Sequence, residues 1–387
     1  MESPFIYCAP VTGKHFLGRK QDATMVANLV SQRENIVLIS GPKEGKTSLI
    51  RQAFFNMSLS KSAPLVAEVD MRGIRDKAQF LRKLGDAVIR PFAVTPTEYR
   101  EAISTFLPGT HFVFDQRSFA DDGCILSLNW DPDDKDVRSL LSLPYSIARF
   151  KEKQMVVILK EVHNIRFIDD WESIFHTMED IMKEQRSILG EQMFSYIMTG
   201  SRINAMNEIF RTRHFFYRLA EVISLSPIDD KEIIEHIVKG FLSGGKVVDR
   251  ELIKGACSLL RNNLHYINHF FAICDHLSKG YIMEATLSEA LTCLIAIHEP
   301  RFEAVMEDLT NFQASLLKAI ADGHTKFSSA EVIRSYSLNS SANVKRLKDA
   351  LSKKEIIVFN SEDEPEWEDP LMEYWVKKYF FRQILDI

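Results

Sequence analysis

The sequence has few features that would tie the protein to a membrane or an oxidising compartment. Its five cysteines are odd in number and include no C-x-x-C pair, so free thiols in a reducing compartment are expected. No apolar run approaches the length of a membrane span. The opening residues, MESPFIYCAP, carry no positive charge before their apolar residues, which argues against a secretory signal. We therefore expect a cytoplasmic protein.

The sequence also lacks a strong charge of either sign. Lys and Arg number 48 against 53 Asp and Glu, which gives a formal net charge of −5 over 387 residues. Such a chain has no global field that attracts nucleic acid, so DNA binding would need a local basic patch. With 45% hydrophobic residues, the chain is long enough for two or three globular domains, each with its own core.

Short apolar runs alternate with helical patterns over residues 1–228. The runs IVLIS, PLVAEVDM, MVVIL, MFSYIMTGS and VISLSPI are typical of buried strands. Their alternation with helices predicts an α/β domain with a mostly parallel sheet that is covered on both faces. Within about residues 106–135, HFVFDQ and CILSLNWD flank the turn-like FADDG, which predicts an inserted β-hairpin.

Helical patterns replace strands after Asp229. Residues 229–300 are predicted to form a helical lid subdomain. In residues 301–387, three short helical patterns precede a strand, a turn-rich acidic segment and WEDPLMEYWVKKYF. Three helices followed by a hairpin are typical of a winged-helix domain.

The stretch IVLISGPKEGKTSLI, residues 36–50, combines a strand, a glycine-containing loop and a helix start. It is close to the phosphate-loop motif G-x-x-x-x-G-K-[ST], whose backbone N–H groups cradle a phosphate. Gly41 and Gly45, however, enclose only three residues. Either Ser40 takes the place of the first glycine, or the turn is tighter and binds fewer phosphate oxygens. The simpler alternative is a plain strand–turn–helix connection in which Lys46 is solvated.

The loop is the predicted binding site for the phosphates of ATP or ADP, because a helix N-terminus with free amides favours an anion. The Thr47 hydroxyl is the predicted ligand of Mg²⁺. Glu44 places a carboxylate in the loop, which lowers nucleotide affinity unless the side chain turns outward. The predicted phosphate-binding residues are Gly41, Pro42, Lys43, Glu44, Gly45, Lys46, Thr47 and Ser48.

Several segments, in their order along the chain, resemble the archaeal-type AAA+ ATPases, P-loop ATPases of the STAND-like branch that are also common in Bacteroidetes. They are FLGR (residues 16–19), the phosphate loop, VVILKEVHNI (156–165), YIMTGS (196–201), MNEIF (206–210) and EDPLMEYW (368–375). The resemblance implies an α/β P-loop NTPase domain with an AAA+-like parallel sheet, a helical lid subdomain and a C-terminal winged helix. It also implies that Arg19 belongs to the nucleotide-binding residues, and we add Lys160 to them on a separate argument from its charge.

In that family the strand that corresponds to VVILK ends in Asp-Glu, where the aspartate orders the magnesium and the glutamate orients the attacking water. This chain has Lys160 and Glu161 there. The resemblance implies that Glu161 orients the attacking water and that Thr199 is a polar sensor, so both are candidate catalytic residues. Replacing the metal-binding aspartate by Lys160 reverses the charge beside a bound magnesium, so Mg²⁺ binding is expected to be weakened. Lys160 would instead approach the β- and γ-phosphates. The simpler alternative pairs Glu161 with Lys160.

The winged-helix segment carries opposite charges on two of its parts. Its third helical pattern is basic, with Lys345, Arg346, Lys348, Lys353 and Lys354. The predicted wing, NSEDEPEWED, carries six carboxylates and no basic residue, so it would repel a phosphate backbone. The wing therefore favours a protein contact or an autoinhibitory role, with DNA binding as the weaker alternative.

Together these features predict an ATP-binding molecular switch with slow or absent hydrolysis. The expected partners are a nucleotide and either another protein or a second copy of the chain. The alternatives are a nucleotide-free interaction scaffold on the same fold and a winged-helix regulator that binds DNA.

Overall fold

The structure is a computed structural model that describes residues 3–60, 63–188 and 193–384. Its internal contacts divide the chain into two compact units. The C-terminal unit consists of Met1–Lys20, Gly41–Ser48 and Ser226–Ile387, and the sheet unit consists of Gln21–Ser40 and Leu49–Leu225. The phosphate loop therefore groups with C-terminal residues. Among the described residues, no helix combines the length and apolar character needed to cross a membrane.

The described residues form both strands and α-helices. The strands are β1 (Asn35–Ile39), β2 (Leu65–Asp70), β3 (Phe112–Val113), β4 (Ser127–Leu128), β5 (Met155–Lys160), β6 (Phe194–Gly200), β7 (Ala220–Ser224), β8 (Val247–Val248), β9 (Tyr281–Ile282), β10 (Ile357–Phe359) and β11 (Pro365–Trp367). The α-helices are α1 (Lys20–Ser31), α2 (Lys46–Leu59), α3 (Lys77–Ile89), α4 (Pro96–Phe106), α5 (Gln116–Asp122), α6 (Asp134–Phe150), α7 (Trp171–Ile188), α8 (Ile203–Asn207), α9 (Asp230–Ser243), α10 (Arg250–Leu259), α11 (Leu264–Leu277), α12 (Glu284–Glu307), α13 (Asn311–Ala321), α14 (Ala330–Ser335), α15 (Ser341–Lys353) and α16 (Pro370–Trp375).

The core of the sheet unit is a five-stranded sheet in the order β2-β5-β6-β1-β7. All four strand pairings are parallel, and the strands are the five apolar runs that the sequence predicted. Strands β1 and β6 are buried along their whole length, as expected for a parallel sheet with both faces covered. The predicted parallel α/β architecture is thus confirmed.

A buried asparagine joins the central strands. Asn35 is fully buried at the start of β1. Its Nδ2 donates to the Leu219 carbonyl oxygen at 2.8 Å, and its Oδ1 accepts from the Tyr196 N–H at 2.8 Å. Because both ends of the amide are satisfied, this polar side chain is accommodated without the cost of an unpaired buried group.

The segment predicted as an inserted hairpin differs from a simple hairpin. Strands β3 and β4 pair antiparallel, but the FADDG residues between them belong to α5 and its end. Asp115 begins α5 by accepting hydrogen bonds from two backbone N–H groups, and Gly123 ends it at φ 69°. An aspartate cap and a left-handed glycine are helix boundary signals, which explains why the turn-like residues are helical.

The C-terminal unit is mostly helical, and its last part has the predicted three helices and hairpin. Helices α13, α14 and α15 precede β10 and β11, which pair antiparallel with Ile357 opposite Trp367. Leu338, Leu351 and Ile357 are fully buried in the core of this unit. Helix α16 follows the hairpin directly.

Candidate nucleotide-binding loop and strand-end residues

The phosphate loop ends where α2 begins, at Lys46. Two of its residues are left-handed, Lys43 at φ 62° and Gly45 at φ 97°. Glycine adopts this conformation without steric cost, whereas lysine does not. The first amides of the 14-residue helix α2 have no partner within the helix, so its N-terminus favours an anion.

Two charged side chains of the loop fold back onto the loop itself. Lys46 is only 9% exposed, and its Nζ donates to the Gly41 carbonyl oxygen at 2.7 Å. The carboxylate of Glu44 lies over Gly41, because a Cβ added there would stand 3.0 Å from Glu44 Oε1. Lys46 is therefore not the solvated residue of the simpler alternative, and Glu44 does not turn outward.

Arg19 connects the loop to a distant segment of the C-terminal unit. Its Nε donates to the Ser226 carbonyl oxygen at 2.6 Å, and its Nη1 donates to the Glu44 carbonyl oxygen. At the other end of the loop, Ser48 Oγ accepts from the Val11 N–H at 3.1 Å. Chain segments that precede and follow the sheet residues thus fix both ends of the loop.

The end of the predicted wing places a carboxyl group in the electrostatic field of the loop. Burial raises the pKa of Glu368 to about 9, and the carboxylates of Glu355, Asp369 and Glu44 add to this rise while Lys46 opposes it. Glu368 Oε2 is buried and has no hydrogen-bond partner among the described residues. Glu368 is therefore protonated and neutral at pH 7.

Lys43 is exposed, yet its ammonium interacts electrostatically with residues of helices α11 and α12. Its Nζ lies 6.0 Å from the centroid of the Tyr266 ring. Desolvation and then the charge of Arg301 lower the pKa of Lys43. Arg301 Nη2 donates to Asp369 Oδ2 at 2.5 Å, and the Tyr266 hydroxyl donates to the same oxygen at 2.7 Å.

In the sheet unit, the predicted strand-end residues have partners of their own. The carboxyl ends of parallel strands meet at one edge of a sheet, and Lys160 ends β5 there. The ammonium of Lys160 pairs with the Glu68 carboxylate of β2. Glu161 Oε2 accepts from the N–H of Ser201 at 3.0 Å and from its Oγ at 2.6 Å. The alternative in which Glu161 pairs with Lys160 is therefore wrong.

Thr199 is the other predicted catalytic residue of the sheet unit. It is 5% exposed on β6, directly opposite Leu38 of β1 in the strand register. Thr199, Lys160 and Glu161 thus belong to the sheet unit, whereas residues 41–48 and Arg19 belong to the C-terminal unit.

The sequence did not predict that Glu368 would interact electrostatically with the loop. It also did not predict that Lys43 would lie near Tyr266 of α11. The motif EDPLMEYW, which contains Glu368, was recognised only through its resemblance to a family. Its acidic residues were interpreted as part of a wing that would repel DNA and favour a protein contact or an autoinhibitory role. No local pattern indicates which carboxylate of such a segment becomes buried, since burial depends on a partner distant in the chain.

The charges of the basic helix α15 are partly neutralised within the winged-helix segment. Lys348 pairs with Asp363 of the wing, and its Nζ lies 4.2 Å from the centroid of the Phe359 ring. Lys354 pairs with Asp308. Lys345, Arg346 and Lys353 are exposed. The positive patch is therefore smaller than the five basic residues of the sequence suggested.

Comparisons with known proteins support the fold. A family described as a probable winged helix domain matches residues 300–378. The structure is similar to that of a Walker-type ATPase of Pyrococcus abyssi, with a TM-score of 0.66 and 16% identity, over 96% of this chain and 99% of that one. It is also similar to the ORC2 protein of Aeropyrum pernix in complexes with ADPNP and ADP, with a TM-score of 0.57 and 12% identity, over 95% of both chains. No curated protein sequence matches the chain.

These likenesses confirm the predicted fold class. The chain has an α/β fold with a five-stranded parallel sheet, followed by a helical region and a C-terminal winged helix, as the similar structures do. At 16% and 12% identity they show the fold alone, because one fold supports many functions.

Proposed function

We propose that this protein is an ATP-binding molecular switch in which nucleotide binding at residues 41–48 changes how the winged-helix segment contacts the loop. Both similar structures described above are consistent with nucleotide binding on this fold, since one is a Walker-type ATPase and the other was solved with ADPNP and ADP. The observation that carries the proposal is the loop itself, which ends at the N-terminus of α2 with Lys46 on the Gly41 carbonyl oxygen. Glu368 of the predicted wing lies in the electrostatic field of this loop.

The proposed switch is a competition for Lys46. Without nucleotide, its ammonium is held by the Gly41 carbonyl oxygen, and Lys46 and Glu44 both act electrostatically on Glu368. A bound triphosphate would draw the ammonium to its own oxygens, since charge-assisted contacts are stronger than neutral ones. The added negative charge would then repel the carboxylate of Glu44, and the neighbouring segment that carries the neutral Glu368 would move with it.

Hydrolysis is proposed to be slow or absent. Thr47 offers a hydroxyl to Mg²⁺, but Lys160 supplies an ammonium at the strand end where a metal-binding carboxylate would be needed. Glu161, the proposed water-orienting group, is held by two hydrogen bonds from Ser201. These residues fit a protein-held magnesium poorly, so the proposed switch includes no step that depends on the metal.

Calorimetric titration with ATP and ADP tests the proposal on the full chain. We expect the wild type to bind ATP and Lys46→Ala to lose binding. Glu44→Ala removes the carboxylate that lies over Gly41, so it is expected to bind ATP about tenfold more tightly, equivalent to about 1.4 kcal/mol. Glu362→Ala removes an exposed carboxylate of the wing and serves as the matched control, with affinity unchanged.

A nucleotide-free interaction scaffold is the second candidate. The burial of Lys46 and the position of Glu44 over Gly41 favour it, because both place the loop's own side chains where phosphates would bind. If neither the wild type nor Glu44→Ala binds ATP or ADP, the switch is excluded and the scaffold is favoured. Salt-sensitive retention on duplex DNA that is lost in a Lys345→Ala, Arg346→Ala double variant would instead favour a DNA-binding regulator.

A further inference from the structure

Three histidines of the lid helices lie close together. His265 and His269 are one turn apart on α11, and His298 is on α12. One nitrogen from each ring lies within 4.8 Å of a nitrogen of each of the others. The ring centroids of His269 and His298 are 5.7 Å apart, and those of His265 and His269 are 6.2 Å apart. We call these three residues the lid histidine cluster.

Each ring of the lid histidine cluster has a buried nitrogen with no hydrogen-bond partner among the described residues. These atoms are His265 Nε2, His269 Nδ1 and His298 Nε2. His269 and His298 are only 8% and 9% exposed. Leaving a buried polar atom unpaired costs free energy, so three such atoms in one place require an explanation. Coordination of a metal ion by the three lone pairs would satisfy all of them at once.

The contacts of the N-terminal segment fix which nitrogen of His265 carries a lone pair. His265 Nδ1 lies 3.0 Å from the Tyr7 carbonyl oxygen. A carbonyl oxygen only accepts hydrogen bonds, so Nδ1 must be the donor, which leaves the Nε2 lone pair for a ligand. The Tyr7 ring also stacks on the His269 ring at a centroid distance of 4.1 Å and an interplanar angle of 7°. Such outer contacts orient metal-binding imidazoles in known sites.

The donor set and the surrounding charges select the kind of ion. Neutral imidazoles are preferred ligands of Zn²⁺, whereas Mg²⁺ and Ca²⁺ require oxygen ligands. The neighbouring positive charges, Lys43 and Arg301, also disfavour ions that bind mainly through charge. A tetrahedral Zn²⁺ with bonds of about 2.0–2.1 Å separates its ligand nitrogens by roughly 3.3 Å, so small rotations of the rings would close the site.

We propose that His265, His269 and His298 form a Zn²⁺ site with three protein ligands and a fourth position for a water molecule. The site joins α11, α12 and the Tyr7 segment of the C-terminal unit. None of its ligands belongs to residues 41–48, so Zn²⁺ binding can be tested separately from nucleotide binding, although Lys43 of that loop is a neighbouring charge.

Metal titration of the EDTA-treated and dialysed full chain tests this site. We expect one equivalent of Zn²⁺ to bind per chain and Mg²⁺ not to compete. Co²⁺ in the same protein should give the visible absorption bands of a tetrahedral ion. His269→Ala and, separately, His298→Asn should each weaken Zn²⁺ binding by at least the 10- to 100-fold that loss of an outer-shell partner costs. Circular dichroism checks that each variant remains folded.

Two control variants make the assignment specific. His176→Ala removes a histidine whose side chain is 64% exposed and lies outside the cluster, and it should bind Zn²⁺ as the wild type does. Cys8→Ser removes the exposed thiol next to Tyr7, and its affinity should also be unchanged. Absence of stoichiometric Zn²⁺ binding or of a tetrahedral Co²⁺ spectrum in the wild type would overturn the proposal. Equal affinity in the folded His269→Ala or His298→Asn variant, or loss of binding in Cys8→Ser, would do the same.

Discussion

Two clusters in different units of the molecule each bring three possible metal ligands together, but they differ in whether the polar atoms of those ligands already have hydrogen-bond partners. The lid histidine cluster of the C-terminal unit has three buried nitrogens without partners among the described residues. The other cluster, which we call the insert cluster, consists of His111, Asp133 and Asp136 of the sheet unit. Both bring three possible ligand atoms within 4.8 Å of one another.

In the insert cluster the lone pairs are already engaged. Asp136 is fully buried, and its Oδ1 accepts from the His111 N–H at 2.8 Å. Its Oδ2 accepts from the Asp133 N–H at 2.9 Å and from the His111 ring Nδ1–H at 2.8 Å. Asp133 and Asp136 also form the capping box that begins α6. The comparison teaches that closeness of possible ligands is not enough to propose a metal site. The ligand atoms must also have lone pairs that no hydrogen bond already uses.

The largest expected effect comes from breaking the satisfied insert cluster. Asp136→Ala removes a buried carboxylate and leaves the N–H groups of His111 and Asp133 without their acceptor, so we expect a loss of about 3–4 kcal/mol of unfolding free energy. Urea denaturation measures it. Asp134→Ala is the matched control, because Asp134 is exposed in the same first helical turn, and it should cost less than about 1 kcal/mol. Equal losses in the two variants would contradict the structural role.

The contribution of the insert cluster should depend on pH. Burial acts to raise the pKa of Asp136, but its hydrogen bonds, first of all with His111, leave it below the usual 3.8. Its stabilising effect is therefore present above that value and lost as the pH falls through the lower folded-state pKa. The hydrogen bond to Asp136 raises the pKa of His111 above 6.5, so that contribution is present below 6.5 and lost at higher pH. The difference between wild type and Asp136→Ala should be largest between pH 4 and 6.5.

At pH 6 a smaller effect of the opposite sign is expected at Glu368, whose Oε2 is buried without a partner among the described residues. The folded chain keeps its proton up to a pKa of about 9, against a usual 4.5, so unfolding releases a proton at neutral pH and stability falls as the pH rises from 4.5 to 9. Glu368→Gln removes this cost. It should equal the wild type in stability near pH 4 and become more stable as the pH rises, by about 2 kcal/mol at pH 6 and by more at pH 8.

Thermal or urea unfolding at pH 4, 6 and 8 measures this difference. Glu362→Gln, at an exposed position of the wing, is the control. It should change the unfolding free energy by a similarly small amount at all three pH values. If Glu368→Gln is no more stable than the wild type at pH 8, Glu368 is ionised in the folded protein and the comparison between satisfied and unsatisfied groups fails at this position.

The smallest change in unfolding free energy is expected for the solvent-accessible ion pair between Lys160 and Glu68. The side chains of Lys160 and Glu68 are 26% and 39% exposed, so solvent and salt screen their attraction. Glu68→Gln should therefore cost less than about 1 kcal/mol, and the cost should shrink further in 1 M salt. If Glu68→Gln lost as much unfolding free energy as Asp136→Ala, an ion pair would contribute as much to stability when accessible to solvent as when buried.

The sequence predicted those parts of the fold that have a local signature. The five strands of the sheet are apolar runs, and the winged helix is a sequence of three short helical patterns and a hairpin. Helix α4 was missed although Thr95 and Glu98 form a capping box with Pro96 at the first helical position, which is a recognisable start signal. Helix α6 was missed too, and it contains Pro144, a residue that interrupts a helical pattern when it is judged from sequence.

The loop of residues 41–48 was located from sequence because it stands between the apolar run of β1 and the helical pattern of α2, and its role in phosphate binding stays a prediction. Their surroundings were not. The pairing of Lys160 with Glu68 and of Glu161 with Ser201, the buried carboxyl of Glu368 and the meeting of α11 with α12 at the lid histidine cluster join residues far apart in the chain. Periodicity and motif spacing encode which face of an element is apolar, whereas burial and the partners of each polar atom depend on how distant elements pack. Those choices, and with them the candidate zinc site, were decided only by the tertiary structure.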